Sequence, residues 1–178
     1  MAKREYGNES IKALKDEERV RKRPAVIFGS DGLDGCEHAA FEILSNSIDE
    51  AREGYGKKII LTYHTDRSIE VEDFGRGCPV DFNEREQRYN WELVYCELYA
   101  GGKYNTAEGE NYEYSLGLNG LGACATQYSS EYMDVTVHRD GMEYSLHFEK
   151  GKNVGGLKKE PKKYASTGTR TRFRPDID

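Results

Sequence analysis

Between residues 35 and 54 apolar positions recur at helical spacing. Ala40, Leu44, Ile48 and Ala51, with Phe41 beside them, share one side at about 100° per residue. Gly54 and Gly56 stop the pattern. The period then drops to two. KKIILTYH puts Ile59, Leu61 and Tyr63 on one face, SIEVED does the same with Ile69, Val71 and Asp73, and TDR is the turn between them. FGRGCP breaks the second strand. NWELVYCELYA returns to the helical period, with Trp91, Val94, Tyr95 and Leu98 on a stripe ended by Gly101 and Gly102. A Gly- and Asn-rich stretch leads to LGLNGLGACATQ, which opens another helix. EYMDVTVH and MEYSLHFE are strands around RDG, a good hairpin turn. A Lys- and Gly-rich loop and a last strand, TRTRFR, complete the pattern. Residues 1–24 are polar and have little to bury, so they read as an arm, with the folded domain over 25–178. Helices grouped against antiparallel strands predict an α+β two-layer sandwich: helices on one face of a mostly antiparallel mixed sheet, the other face more solvated.

Length and composition fit this picture. The 178 residues suggest one domain or a large part of one, and 37% hydrophobic with 33% charged residues is a globular balance. The net charge of −6 makes the chain a poor candidate for holding nucleic acid by itself. The stretch from Lys150 to Arg174 is basic and reads either as a DNA-facing surface or as a solvated loop. Four cysteines without C-x-x-C spacing and four scattered histidines give no support to a zinc site. They fit free thiols in a reducing cytoplasm. No signal peptide and no apolar run near the roughly 20 residues of a membrane span is present.

Three features carry candidate chemistry. Glu42, Asn46, Asp49 and Glu53 are spaced four, three and four apart, with Glu50 at the edge, so the first helix sets an acidic and amide row opposite Leu44 and Ile48. Such a row is either a solvated polar face or a site for metal or phosphate chemistry. Asp73 shares the parity of Ile69 and Val71, which should be buried. It is either frayed and exposed, a cap for the next turn, or an acceptor for a ligand amino group such as that of adenine. Gly75 and Gly77 flank Arg76, where backbone can approach a flat ligand. Gly117, Gly120 and Gly122 precede a helix, as in anion sites. The spacing is neither a P-loop nor the dinucleotide-binding fingerprint, and the protein-kinase motifs are absent.

Taken in order, VRKRPAVIFG (20–29), FEILSNSIDEA (41–51), VEDFGRGCP (71–79), YAGGKY (99–104), SLGLNGLG (115–122) and STGTRTRFRPD (166–176) cover nearly the whole chain. Together they resemble the ATPase domain of the GHKL superfamily, in its branch of bacterial type II topoisomerase B subunits, those of DNA gyrase and topoisomerase IV. R-K-R-P and A-G-G-K point to that branch rather than to histidine kinases. The resemblance implies ATP and Mg²⁺ as ligands. It makes Glu42 the general base against the γ-phosphate and Asn46 the Mg²⁺ ligand, with Asp49 nearby in the ATP site. Asp73 would bind the adenine amine, helped by a water near the Gly75–Gly77 turn and by Thr169, with Arg76 and Pro79 as walls. Lys103 and the backbone of Gly117, Leu118, Asn119, Gly120, Leu121 and Gly122 would hold the β- and γ-phosphates as part of a lid that includes Tyr112. Tyr6 and Ile11 match an arm that swaps onto a second copy in a homodimer, Tyr6 reaching the partner's nucleotide. Arg139, with Asp73, matches the position contacted by aminocoumarin inhibitors. Asp49 and Glu50 would orient neighbours or meet Arg76, and Glu53 would be solvated.

In such a subunit ATP drives dimerisation of a gate that captures DNA, while further domains meet the topoisomerase A subunit and DNA. Against the family pattern, Phe74 replaces a second Asp, Leu116 a Gly, Asn119 a His, and Ala25–Phe28 a different tetrapeptide. These changes bear on the lid and turnover more than on binding. Relative to that family the chain reads as C-terminally truncated at Asp178, with binding kept and hydrolysis strongly impaired. The alternatives are a nucleotide-gated dimerisation module without turnover and a histidine-kinase-like ATP domain.

Overall fold

The computed structural model describes residues 13–98, 122–163 and 165–177. Chain order runs α1 (Asp16–Lys22), α2 (Ala25–Phe28), α3 (Leu33–Arg52), β1 (Ile59–Tyr63), β2 (Ile69–Asp73), β3 (Phe82–Asn83), β4 (Arg88–Tyr89), α4 (Asn90–Cys96) and α5 (Gly122–Tyr128). It ends with β5 (Ser130–Arg139), β6 (Met142–Glu149), β7 (Lys152–Pro161) and β8 (Gly168–Pro175). Six strands form one sheet in the order β1-β2-β8-β5-β6-β7. Every pairing among them is antiparallel, so the described sheet is not mixed as expected.

Strand periodicity sends one set of side chains to the helices. Val71, Met133, Val135, Val137, Leu146, Phe148 and Phe173 are buried there. Met133 lies opposite both Phe148 and Phe173, which makes an apolar row across three strands. The helix layer closes over them with Val20, Phe28, Ala39, Ile43, Tyr95, Cys124, Ala125 and Tyr128. Phe148 meets Trp91 and Tyr95 ring to ring, with centroids 6.2 and 5.8 Å apart. The α+β sandwich is therefore as expected. Asp140 and Gly141 close the β5–β6 hairpin at RDG.

Three local expectations are corrected. The Lys- and Gly-rich stretch is not a loop. It forms β7, an edge strand on β6 with a register shift between Ser145 and His147. Its lysines and glycines are compatible with an edge, where both faces are wet and alternation is not demanded. The polar stretch before residue 24 is helical from Asp16. Val20 is buried, and Arg21 donates to the Tyr128 and Ser130 carbonyls and to Asp176. The apolar stripe of α3 is also wider than its pattern. Ala39 and Ile43 are its buried hydrophobics, while Phe41 is 49% exposed. The helix packs on β2 and β8 below and on α2 and α5 beside it, so more than one stripe is covered.

The β1–β2 turn is tied to the sheet through Asp66. Its carboxylate accepts from the Ser68 N–H (3.0 Å), the Ser68 hydroxyl (2.6 Å), the Tyr132 hydroxyl (2.7 Å) and Arg172 (3.2 Å). These donors, Ser68 first, hold its carboxyl well below the usual carboxylate range. A folded value below the unfolded one of about 3.9 gives stability that is present above that pH and lost as pH falls through the folded value. Chemical denaturation across pH 7 to 2 should show the native chain losing stability in that window. Asp66→Asn should be weaker at pH 7 and show a shallower acid limb. Identical acid limbs would exclude Asp66 as a source of this dependence.

Candidate functional site

Asp73 ends β2 on the helix-facing side and is 8% exposed. Oδ1 accepts from the Gly75 N–H (3.0 Å) and the Thr169 N–H (3.2 Å), and Oδ2 from the Ser47 hydroxyl (2.7 Å). The strand is thus not frayed. The carboxylate caps the following turn and is buried as well. A carboxylate has about four acceptor positions, so three donors from described residues leave one on the Oδ2 side.

The loop after β2 is tied down from several sides. The Cys78 N–H donates to Thr169 Oγ1 (2.8 Å), the Thr167 hydroxyl to the Gly75 carbonyl (2.6 Å), and Arg139 to the Gly77 carbonyl (2.8 Å). Because Thr169 Oγ1 already accepts, its own proton is left to donate, on the residue whose backbone N–H meets Asp73 Oδ1. Pro79 is exposed at the end of this loop. Arg76 engages the C-terminal turn of α3 and the residues just beyond it. It forks onto Glu50 (Nε 3.1 Å, Nη2 2.7 Å), reaches Glu53 (2.7 Å) and lies 4.1 Å from the Tyr55 ring centroid. Glu50 meets Arg76 as expected. Glu53 is exposed, as expected, and is its second carboxylate partner.

The polar row of α3 splits on folding. Asp49 is buried, Asn46 exposed, and Glu42 partly buried. Glu42 Oε1 lies 3.1 Å from His38 Nε2, one turn earlier on the same face. Gly122, the first residue of α5, lies against Glu42, since a Cβ there would fall 2.4 Å from Oε2. A carboxylate suited to base chemistry and an exposed amide therefore stand one turn apart, near the start of α5. No cluster of three or more His, Cys, Asp or Glu able to hold a metal occurs among the described residues. Mg²⁺ that binds chiefly to phosphate and water needs only one or two protein oxygens, and Asn46 with Glu42 fits that demand.

Tyr6, Ile11, Lys103, Tyr112, Gly117, Leu118, Asn119, Gly120 and Leu121 lie outside the described residues. Of the other expected positions, the structure joins Asp73, Gly75, Gly77, Thr169 and Arg139 in one network. Glu42, Asn46 and Gly122 sit along the neighbouring helices. Sequence reading missed His38, Ser47, Thr167 and Tyr55. His38 was findable by its i, i+4 spacing to Glu42, whereas the others act through long-range contacts.

A buried strand-end carboxylate beneath a Glu- and Asn-bearing helix, inside this sandwich, is the arrangement of the GHKL-type ATPase-domain fold. No family model matches the chain. It is 44% identical over 173 residues to the DNA gyrase B subunit of Thermotoga maritima, covering 96% of this chain and 26% of that protein. Identity to the type 2 topoisomerase B subunit of Aquifex aeolicus is 43% (97% and 21% covered), and to the DNA topoisomerase 4 B subunit of Staphylococcus aureus 37% (96% and 25% covered). The fold matches the 43K ATPase domain of Thermus thermophilus gyrase B, solved with an aminocoumarin, at TM-score 0.74 and 34% identity, over 92% of this chain and 40% of that one. The chain belongs to the B subunits of bacterial type II topoisomerases, those of DNA gyrase and topoisomerase IV, within their ATPase domain. It spans about a quarter of the length of these curated relatives.

One close approach fixes the pocket. Gly168 opens β8 with φ 150°, and a Cβ there would lie 2.0 Å from the Asp73 carbonyl oxygen. Gly168→Ala should therefore lower stability by at least ~2 kcal/mol, through overpacking and backbone strain. A denaturant midpoint equal to that of the native chain would contradict this contact.

Proposed function

We propose that the chain binds ATP with Mg²⁺ and, as part of a longer B subunit, hydrolyses it to drive closure of a dimeric gate that captures DNA. The observation that carries this reading is the donor and acceptor pair at the end of β2. Asp73 Oδ2 has room for one further donor, and the hydroxyl of Thr169, whose N–H meets Asp73 Oδ1, can donate. That is the complement of adenine's edge, which offers an amine next to a ring nitrogen. Gly75 and Gly77 bring backbone close to the base, with Arg76 and Pro79 at its side.

At the phosphate end Glu42 is the group placed to take a proton from water. His38 holds its carboxylate at 3.1 Å, and such a pair orients the base before any ligand arrives. Asn46 and the phosphates would hold Mg²⁺, which supplies charge neutralisation there when bound. Asp49 lies beneath this end. The start of α5 at Gly122, Lys103, Tyr112 and the Gly117–Leu121 backbone complete the phosphate side in this reading. The residues ahead of α1, including Tyr6 and Ile11, act as an arm between two copies in this reading, while α1 packs with 25–178 in the ATP-binding domain. Contacts to the A subunit and to DNA belong to other parts of the longer protein, and the setting is cytoplasmic. Asp73 and Arg139 are the residues we assign to aminocoumarin contact, since the relative from Thermus thermophilus was solved with such a ligand.

Calorimetry with a non-hydrolysable ATP analogue, with and without Mg²⁺, tests the binding step. The native chain should bind, and Asp73→Asn should lose about 100-fold or more, because a donor would then face the ligand's donor. In the full-length subunit Glu42→Ala should lose about 10²- to 10⁴-fold in turnover with binding kept, and His38→Ala about tenfold. Normal turnover in Glu42→Ala would remove the catalytic assignment. No heat of binding for the native chain would remove the whole reading.

A further inference from the structure

Helix α3 ends in a Schellman motif. The Tyr55 N–H donates to the Glu50 carbonyl (2.9 Å) and the Gly54 N–H to the Ala51 carbonyl (3.1 Å), with Gly54 at φ 92°. This cap gathers three side chains around one cation. Glu50 comes from the last turn of α3, Glu53 is the residue on which the helix ends, and Tyr55 lies two beyond it. All three meet Arg76. Glu50 accepts from Arg76 Nε (3.1 Å), Nη2 (2.7 Å) and the backbone N–H (3.1 Å). Glu53 accepts from Nη2 as well (2.7 Å), and the guanidinium carbon stands 4.1 Å from the centre of the Tyr55 ring.

The turn that carries Tyr55 is itself pressed onto the loop after β2. A Cβ on Gly56, at φ 80°, would lie 2.8 Å from the Phe74 carbonyl oxygen. Cap and loop therefore touch through backbone just ahead of Arg76. This is more restraint than a surface arginine needs, since an exposed ion pair gains little and gives up side-chain freedom. Two carboxylates take the edge of a flat group and a ring takes one face. The Arg76 side chain is still 45% exposed. The other face is what this arrangement leaves open, and a planar, delocalised cation stacks well on aromatic ligands.

We infer that Glu53 and Tyr55 are positioning residues for base stacking, holding the Arg76 guanidinium in place as a wall before the ligand arrives. This deepens the nucleotide reading given above and rests on it. The contact differs from that of Asp73 in what it reads: the face of the base rather than the donors and acceptors on its edge. An arginine ordered in advance loses little further freedom on binding. Without Glu53 or the Tyr55 ring, the ligand has to order Arg76 itself, and that cost appears as lost affinity. Only the ring of Tyr55 takes part, so its hydroxyl is dispensable.

The test is calorimetry of a non-hydrolysable ATP analogue against the native chain, Tyr55→Leu, Tyr55→Phe and Glu53→Ala, each also made in an Arg76→Ala background, with thermal melts alongside. Both positions are exposed, so the fold should tolerate the changes. Tyr55→Leu and Glu53→Ala should each weaken binding about two- to fivefold, and Tyr55→Phe should bind as the native chain does. In the Arg76→Ala background the same changes should cost no further affinity, because the group they hold is gone. A role confined to stability would lower the melting temperature and leave affinity native, and that result overturns the assignment. An equal loss with and without Arg76, or a Tyr55→Phe as weak as Tyr55→Leu, overturns it as well. A native chain that does not bind the analogue overturns it together with the nucleotide reading.

Discussion

The pocket is organised around a carboxylate that is out of water and still has room to accept. At 8% exposure each oxygen of Asp73 left without a partner would cost about 1–3 kcal/mol. Two backbone N–H groups and the Ser47 hydroxyl meet most of that demand. They come from the loop after β2, from β8 and from α3, so this one side chain ties together three elements far apart in the chain. The same three contacts decide which oxygen remains open to a ligand. Structural and recognition demands on Asp73 are therefore not separable, and the Gly168 backbone pressed against its carbonyl leaves the strand end no room to shift.

Helix α3 divides the work along its length. Glu42, near its middle, stands against the start of α5, and Asn46 is one turn further on. Ser47 turns inward to Asp73, and Glu50 with Glu53 grips Arg76 at the far end. A rigid helix rises 1.5 Å per residue. It thus works as a ruler between the Glu42 end and the Arg76 end, whose separation is set by covalent geometry rather than by loops. Hydrophobic burial supplies little specificity on this helix. Ala39 and Ile43 anchor it, and the polar residues set what it does.

Much of this was legible in the chain. Helical spacing over α3 and alternation in β2, β5 and β6 carried the sandwich, and parity alone placed Asp73 on the buried side, whereas in β1 the expected apolar face leaves Leu61 and Tyr63 exposed. What failed did so for physical reasons. An edge strand such as β7 is wet on both faces and carries no alternation to read. The partners of Asp73 could not be found from spacing, because Ser47 lies 26 residues away and Thr169 96, and only the folded sheet brings them together. Glu53 is exposed as read, but its pairing with Arg76, 23 residues on, gives no local signal.

Strand β8 comes after every other described strand in the chain but stands third in the sheet, between β2 and β5. Until it inserts, the sheet is two separate pieces, the β1–β2 hairpin and the β5–β6–β7 meander. Neither piece alone has both Asp73 and its Thr169 donor. During synthesis the domain thus stays open until β8 has been made, and long-range closure of that kind is slow. A ribosome-bound chain that stops short of β8 would present the carboxylate without the strand that completes it, so completion of the Asp73 site and completion of the fold are a single event.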